Sequence, residues 1–295
     1  MNDVVTAGLI EAGLIAAEAS LDHLSDQSTW AEGPCWIPES QRLRWSDIIG
    51  NRVMEWSWET GETVVQLAGA EHANGRILDR NGDVVQCSHG RRRVERVRGD
   101  EITSIVSDWQ GVRLNSPNDL VVTRDGAVWF TDPDYGLTSP GEGHPGDLEY
   151  DDHWVFRIDE ATGDYRPVIL DADRPNGLVF SPDESILYIA DSGTADIRAY
   201  DVVNGHRCKD SRIFAKIESG VPDGMRVDEH GNLWSTHRHG VIVFAPDATE
   251  IGRIAIPEVT ANLCWGGPTG QTLFFTATTG LYRLETLTRD AHLRR

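Results

Sequence analysis

The sequence predicts an all-β fold, a six-bladed β-propeller with a short N-terminal helical extension. Three observations predict it. A strand–turn–strand pattern returns six times, at intervals of roughly 40 to 55 residues. No long stretch between Trp30 and Leu284 has helical periodicity, which argues against alternating β and α units. The 295 residues include 39% hydrophobic side chains and ten tryptophans, which is enough for a large core.

Each repeat begins with a turn rich in Asp, Gly, Pro or Asn, which leads into an apolar strand, and most continue through a second turn into a further strand of period two. The apolar strands lie at 43–47, 84–87, 127–132, 186–191, 233–236 and 273–276. We expect one propeller domain at 21–288, between an N-terminal extension, 1–20, and a C-terminal tail, 289–295. Because a ring must close, we also expect a strand within 21–36 to pair with the last blade.

The N-terminal extension has the spacing of a short amphipathic helix packed on the outside, with Leu9, Leu14 and Ile15 on its apolar face. It lacks a basic segment before a long apolar core, so we expect neither a signal peptide nor a membrane span. The cysteines show no metal or redox spacing and are expected to be reduced thiols. These features favour a soluble, cytoplasmic protein. The cysteines are Cys35, Cys87, Cys208 and Cys264.

The formal charge of −20 results from 27 basic and 47 acidic residues. Such a charge repels nucleic acids and anionic membranes. We therefore expect a small-molecule partner, no nucleic acid and no membrane, and a monomer or a dimer.

Four short stretches from separate repeats each offer one hard oxygen beside a turn residue, and each lies just before a predicted strand. Two carry carboxylates and two carry carboxamides, the ligands that a hard divalent cation prefers. Equivalent positions of successive blades point to one axis, so these side chains are expected to converge. The alternative is that these are only good turns. The stretches are Glu32-Gly33-Pro34, Asn118-Asp119, Asn176-Gly177 and Asp223-Gly224.

The chain resembles the family of gluconolactonases, regucalcin and luciferin-regenerating enzymes, from about Trp30 to Leu284. The resemblance implies a six-bladed propeller, hydrolysis of sugar lactones and one divalent metal ion, most often Ca²⁺, with Zn²⁺, Mn²⁺ or Mg²⁺ as alternatives. It implies that the ligands are Glu32, Asn118, Asn176 and Asp223, and that Asp223 is also the catalytic carboxylate. The motifs that carry the resemblance are 30–34, 113–119, 129–133, 175–178 and 222–224.

The chemistry agrees with that expectation. A lactone carbonyl must be polarised and a water made nucleophilic, and a cation with open positions does both. Asp223 is placed to take the proton of that water as general base. A neighbouring cation lowers the pKa of Asp223, so metal activation is expected to supply most of the rate.

Polar side chains near the same loops are candidate contacts for the hydroxyls of a sugar. Asn74 has an equally good interpretation as a turn cap, and Arg113 as a surface ion pair. His72 is the weakest of the set. The candidates are His72, Asn74, Arg113, Asn115, Asp132 and Tyr135.

Two features do not enter the predicted site. The segment 138–152 is rich in Gly, Pro and acidic residues and is expected to be an insertion on one rim, as a lid or an oligomer contact. His237 and His239 share a strand face, but without a third ligand we do not predict a second metal centre. Alternative functions are hydrolysis of other lactones or organophosphate esters, and calcium binding without catalysis.

Overall fold

The computed structural model describes residues 4–292, which form a ring of six four-stranded antiparallel sheets. Each sheet is one blade, and its first-named strand is innermost. Blades 1 to 3 consist of Ala31–Ile37, Arg42–Asp47, Arg52–Ser57 and Thr63–Ala68; Ala73–Leu78, Val84–Ser88, Arg93–Arg98 and Glu101–Val106; and Leu120–Val122, Val128–Asp132, Trp154–Asp159 and Asp164–Ile169. The six-bladed propeller that the sequence predicts is confirmed.

Blades 4 to 6 complete the ring. They consist of Pro175–Phe180, Ile186–Asp191, Asp196–Val203 and Arg207–Lys216; Met225–Val227, Leu233–His237, Gly240–Phe244 and Glu250–Ala255; and Thr260–Gly266, Thr272–Ala277, Gly280–Glu285 and Asp22–Ser25. A separate two-stranded hairpin, Asp108–Trp109 with Val112–Arg113, lies between blades 2 and 3.

Blade 6 is built from both ends of the chain. Its outermost strand, Asp22–Ser25, pairs antiparallel with Gly280–Glu285. The expected closing strand is therefore confirmed. Because this pair joins an N-terminal strand to the C-terminal strands within one sheet, backbone hydrogen bonds hold the two ends of the chain together at the closure.

The N-terminal segment packs on the outside of blades 5 and 6. Its helix, Ala7–Glu11, is shorter than the apolar spacing indicates: Leu9 lies within it, whereas Leu14 and Ile15 lie beyond its end. All three side chains are nonetheless buried, against a cluster that includes Trp234 and Trp265. The packing of the apolar face, rather than helix length, holds this segment in place.

The core lies between adjacent blades rather than at the axis. Trp129 of blade 3 contacts Phe180 of blade 4 edge to face, with ring centroids 5.1 Å apart, and burial of such a ring contributes about 2 to 3 kcal/mol. The four cysteines have free thiols, as expected. Among residues 4–292, none of the helices has the length and hydrophobicity needed to cross a membrane. The domain limits 21–288 and the cytoplasmic location stay predictions.

Candidate functional site

The innermost segments of the blades meet in cyclic order at one end of the central channel. The Gly75 amide donates to the Asn118 carbonyl oxygen at 2.9 Å, and the Gly224 amide donates to the Ala261 carbonyl oxygen at 2.8 Å. Glycine allows neighbouring segments to approach this closely, since a Cβ atom on Gly224 would lie 2.3 Å from Cγ of Asn262. The ring of segments thus brings polar side chains of different blades within contact distance.

Bulges aim the side chains of this ring. The pairing of the first two strands shifts register between Glu32 and Cys35 in blade 1 and between Pro175 and Leu178 in blade 4. Glu32 and Asn176 therefore lie inside strands, not before them as the turn residues of the sequence suggest. A bulge leaves the ladder locally unpaired and redirects a side chain, here toward the channel.

Two buried carboxylates, Glu32 of blade 1 and Asp223 at the start of blade 5, repel each other electrostatically. Burial raises the pKa of Glu32 to about 8, and the charge of Asp119 adds to the increase. Burial also raises the pKa of Asp223 well above its usual range, with repulsion by Glu32 as the next cause. Without a cation, each carboxylate disfavours ionisation of the other.

These carboxylates keep free oxygen atoms. Oε2 of Glu32 accepts hydrogen bonds from the Gly33 amide at 2.8 Å and from Nδ2 of Asn262 at 3.2 Å, which leaves Oε1 available. Oδ1 of Asp223 is buried and has no hydrogen-bond partner among the described residues. A buried acceptor without a donor is costly unless a ligand satisfies it.

His89 orients two of the amides. The ring is fully buried, and Nδ1 donates to the Glu142 carbonyl oxygen at 2.9 Å. Nε2 is therefore an acceptor, and the amide nitrogens of Asn74 and Asn118 face it at 3.2 and 3.5 Å. Burial lowers the pKa of His89 to about 4, which keeps the ring neutral. Because each amide nitrogen is turned to His89, the amide oxygens of Asn74 and Asn118 are left for a cation or a substrate.

Asn176 is oriented in the same manner by Ser192. Its Nδ2 donates to Oγ of Ser192 at 3.2 Å, and that hydroxyl donates to the Pro222 carbonyl oxygen at 3.0 Å. Asn176 is also a hydrogen-bond partner of the Asp223 side chain, and among residues 4–292 no hydrogen bond engages its amide oxygen. Tyr135 borders this group: Ser192 is a hydrogen-bond partner of its hydroxyl, burial raises its pKa, and the guanidinium of Arg174 lies 4.0 Å from its ring centroid.

A second polar layer lies below the first, and the sequence did not indicate it. Nδ2 of Asn262 reaches Oδ2 of Asp119 at 3.5 Å as well as Glu32. Oδ1 of Asp119 accepts from the Leu120 amide at 2.8 Å. Asn262 thus bridges the carboxylates of Glu32 and Asp119. Asn262 occupies the position in blade 6 that Asp119 occupies in blade 3. This equivalence was the signal by which the sequence could have predicted Asn262, but no Pro-Asn-Gly motif marks it.

The insertion packs over this end of the channel. It begins after the short helix Tyr135–Thr138, where a Cβ atom on Gly136 would lie 2.6 Å from Cβ of His89. Burial raises the pKa of Glu142 in this insertion to about 7, and its charge acts on Glu32 and Asp223. The predicted rim position of 138–152 agrees with these contacts, while its roles as lid or oligomer contact stay predictions.

The other predicted substrate contacts are placed differently. Nδ2 of Asn115 donates to the carbonyl oxygens of Asp132 and Asp152 at 3.0 and 2.8 Å. Oδ2 of Asp132 accepts from Tyr150 at 2.5 Å and from the Asn115 amide at 2.8 Å. Asn115 and Asp132 therefore anchor the insertion through Nδ2 and Oδ2, while Oδ1 of each is buried without a hydrogen-bond partner among the described residues. Substrate binding by both residues stays a prediction.

Two further candidates lie on the rim. Arg113 is exposed in the hairpin, and none of the hydrogen bonds found for residues 4–292 joins its side chain to the channel. His72 is half-buried, its Nδ1 is 2.9 Å from the Ile48 carbonyl oxygen, and its ring meets that of His144 edge to face. Substrate binding by both residues stays a prediction.

No second metal cluster accompanies the candidate site. Within the described part of the chain, no three His, Cys, Asp or Glu side chains are grouped to hold a metal. Two of the four predicted ligands, Asn118 and Asn176, are amides and do not belong to these residue types. Nδ1 of His237 lies 3.1 Å from the Gly240 carbonyl oxygen, and Nε2 of His239 lies 3.1 Å from Oγ of Ser219.

The fold and the site define a class of propeller with carboxylates and carboxamides gathered at one end of its channel. Residues 30–279 match the family described as the SMP-30/Gluconolactonase/LRE-like region, and the chain belongs to that family. This confirms the resemblance seen in the motifs.

Relatives over most of the chain support this assignment. The gluconolactonase of Zymomonas mobilis subsp. mobilis is 32% identical over 305 residues, covering 93% of this chain and 83% of that protein. A pentonolactonase of Haloferax volcanii is 29% identical, covering 84% of this chain and 81% of that protein. The structure of a gluconolactonase from Xanthomonas campestris superposes with a TM-score of 0.90 at 39% identity, covering 96% of this chain and 94% of that one.

Proposed function

We propose that this protein opens sugar lactones, such as glucono-1,5-lactone or xylonolactone, with a divalent cation bound by Glu32, Asn118, Asn176 and Asp223. It is a lactone-hydrolysing enzyme and so a carboxylic ester hydrolase, as its gluconolactonase and pentonolactonase relatives are. The choice of an aldonolactone rests on the names of these relatives and on the polar lining of the channel.

The observation that carries the proposal is the buried Oδ1 of Asp223, which has no partner among the described residues and faces a second carboxylate. A cation relieves both costs at once, since it satisfies the oxygen and offsets the repulsion between Glu32 and Asp223. The two amides fit the same ion because the nitrogen of Asn118 faces His89 and that of Asn176 donates to Ser192, which leaves their oxygens as the ligand atoms. An all-oxygen set with two carboxylates suits Ca²⁺ best, with Zn²⁺, Mn²⁺ or Mg²⁺ as alternatives.

When bound, such an ion polarises the lactone carbonyl and acidifies a water. The residues of the chain do the remaining work. Asp223 accepts a proton from the water as its oxygen bonds to the carbonyl carbon, and returns the proton to the ring oxygen as the ester bond breaks. Asn74 offers an amide oxygen, and Tyr135 a hydroxyl, to the hydroxyl groups of the sugar. His89 stays neutral and takes no proton.

The test is acid release from glucono-1,5-lactone by purified protein, measured above the spontaneous rate, before and after removal of divalent ions with a chelator. We expect the enzymatic rate to disappear on chelation and to return when one metal at a time is added back. A rate that survives complete removal of metal would contradict the metal requirement. Turnover of simple aliphatic lactones in preference to sugar lactones would contradict the substrate class.

A further inference from the structure

The far end of the central channel holds a cavity that the proposed reaction does not use. The innermost strands run away from Glu32 and Asn118, and their later residues line a cavity of about 660 Å³. Cys35 and Cys264 are in its wall, and the chain end near Asp290 borders its mouth. This volume lies within the range of small-molecule sites in proteins.

Arg226 is the central cation of this cavity. It is 6% exposed, although arginine is rarely buried without a paired carboxylate. The hydrogen bond recorded for its guanidinium among residues 4–292 runs from Nη1 to the Met225 carbonyl oxygen at 2.7 Å. Its other N–H groups are available to a ligand in the cavity, because the guanidinium presents five donors in all.

Arg76 adds a second buried guanidinium to the wall. It is 2% exposed, Nη2 donates to Oγ of Ser46 at 2.6 Å, and Nε is buried without a hydrogen-bond partner in the described chain. Arg76 and Arg226 both line this cavity, as does Cys35. Burial raises the pKa of the Cys35 thiol, and the charges of the two arginines oppose that increase. Among the ion pairs of the described residues, neither arginine takes part, so the charge of each lacks a directly bound carboxylate.

The charge of the whole lining has the same sign. The cavity is bordered by five arginines and three carboxylates, an excess of two positive charges in a chain with a formal charge of −20. Two of the carboxylates are already engaged: Glu229 pairs with Arg289 at 3.3 Å, and Glu184 accepts from the Arg124 amide at 2.9 Å. Asp119, in the polar layer above the cavity, interacts electrostatically with Arg226 and offsets one of these positive charges.

We propose that this cavity is a binding site for a small oxyanion, a carboxylate or a phosphate, held by Arg226 and Arg76 at the end of the channel opposite the catalytic residues. An oxyanion accepts several hydrogen bonds from one guanidinium and supplies the missing negative charge. The inference does not depend on lactone hydrolysis, because it rests on residues that lie outside that site.

The test is isothermal titration calorimetry on protein stripped of divalent ions, so that no bound metal attracts the anion. Inorganic phosphate and gluconate are the two probes, and sorbitol, an uncharged polyol, is the control. We expect saturable binding of at least one anion, weakened by added salt, and no binding of sorbitol. Binding of phosphate alone identifies an inorganic oxyanion site, and binding of gluconate alone identifies a site for organic carboxylates.

Variants locate the binding. Arg226→Gln is expected to lower the affinity about tenfold or more, since a charged hydrogen bond is lost. Arg226→Lys keeps the charge and should retain part of the affinity, while Arg212→Gln, on an exposed ion pair of blade 4, is the matched control. Arg124→Gln on the rim provides a test that leaves the buried positions intact. Asp223→Asn should bind the anion normally. Failure of both anions to bind, or equal binding by Arg226→Gln and the parent, would overturn the proposal.

Discussion

The two ends of the central channel carry side chains of opposite charge. At each end, however, buried ionisable groups lack a hydrogen-bond or ion-pair partner among the described residues. At one end Glu32 and Asp223 repel each other, and Oδ1 of Asp223 is without a donor in the described chain. At the other end Arg226 and Arg76 lack ion-pair partners among the described residues. Buried charge of this kind is destabilising by itself, and this cost is the reason for proposing a ligand of opposite charge at each end.

The largest expected effect comes from the acidic end. Asp223→Asn should lower kcat about a hundredfold or more, because it removes a metal ligand and the proton acceptor. The melting temperature of the metal-free variant should equal or exceed that of the parent, since one of two repelling buried carboxylates is gone. Glu59→Gln, in an exposed turn of blade 1, is the control. A variant with parental kcat would show that Asp223 is not part of the catalytic site.

The second effect distinguishes ligands from the residue that orients them. His89→Phe keeps a planar ring but removes the acceptor for Asn74 and Asn118, so both amides can turn. Metal affinity should fall about 10- to 100-fold, as with other residues that position ligands. Titration with Ca²⁺ measures the affinity, and excess metal should restore much of kcat. His230→Gln, at an exposed turn, should change neither quantity. An unchanged affinity in His89→Phe would mean that the ring only fills space.

The third effect is a pH dependence that arises at the acidic end. Burial raises the pKa of Glu32 in the folded protein to about 8, above the ordinary value of 4.5. The metal-free protein is therefore stabilised by this group below pH 4.5 and loses that contribution as pH rises to about 8. A cation displaces the proton, so its stabilising effect should grow over the same range.

Melting temperatures at pH 5.5 and pH 8, with and without Ca²⁺, measure this difference, and the increment due to Ca²⁺ should be larger at pH 8. In Glu32→Gln the increment should be small at both values. An increment that shrinks as pH rises would contradict proton displacement at this carboxylate.

The smallest effect concerns the rim. Arg113 is exposed in the hairpin, so Arg113→Gln should change kcat/KM by about twofold or less, whereas Asn74→Ala should raise KM or lower metal affinity measurably. Initial rates over a range of glucono-1,5-lactone concentrations separate the two variants. A large loss in Arg113→Gln would show that the hairpin closes over the substrate.

The difference between the ends also explains what could be predicted from sequence. The blades were predictable because turn residues and alternating apolar residues are local signals. The acidic end was predictable in part because Asn118, Asn176 and Asp223 lie in similar local motifs, each after a proline. Because equivalent positions of successive blades point to one axis, residues in similar motifs along the chain lie close together there.

The remaining residues have no such local signal. His89 follows a strand of blade 2 and packs against Gly136, in the short helix that precedes the insertion. Asn262 lacks a turn motif, and its partner Glu32 is 230 residues away. Arg226 and Arg76 lie in innermost strands whose later residues line the far cavity. That cavity exists only when the ring is closed, so no single segment of the sequence predicts it.

The most direct measurement is the anomalous scattering of a crystal grown with Mn²⁺ and recorded at the manganese absorption edge. We expect a peak at the acidic end of the channel, within bonding distance of oxygen atoms of Glu32, Asn118, Asn176 and Asp223. The peak should be absent from crystals of Asp223→Asn. A peak at another place, or none between these four side chains in the parent protein, would contradict the metal centre.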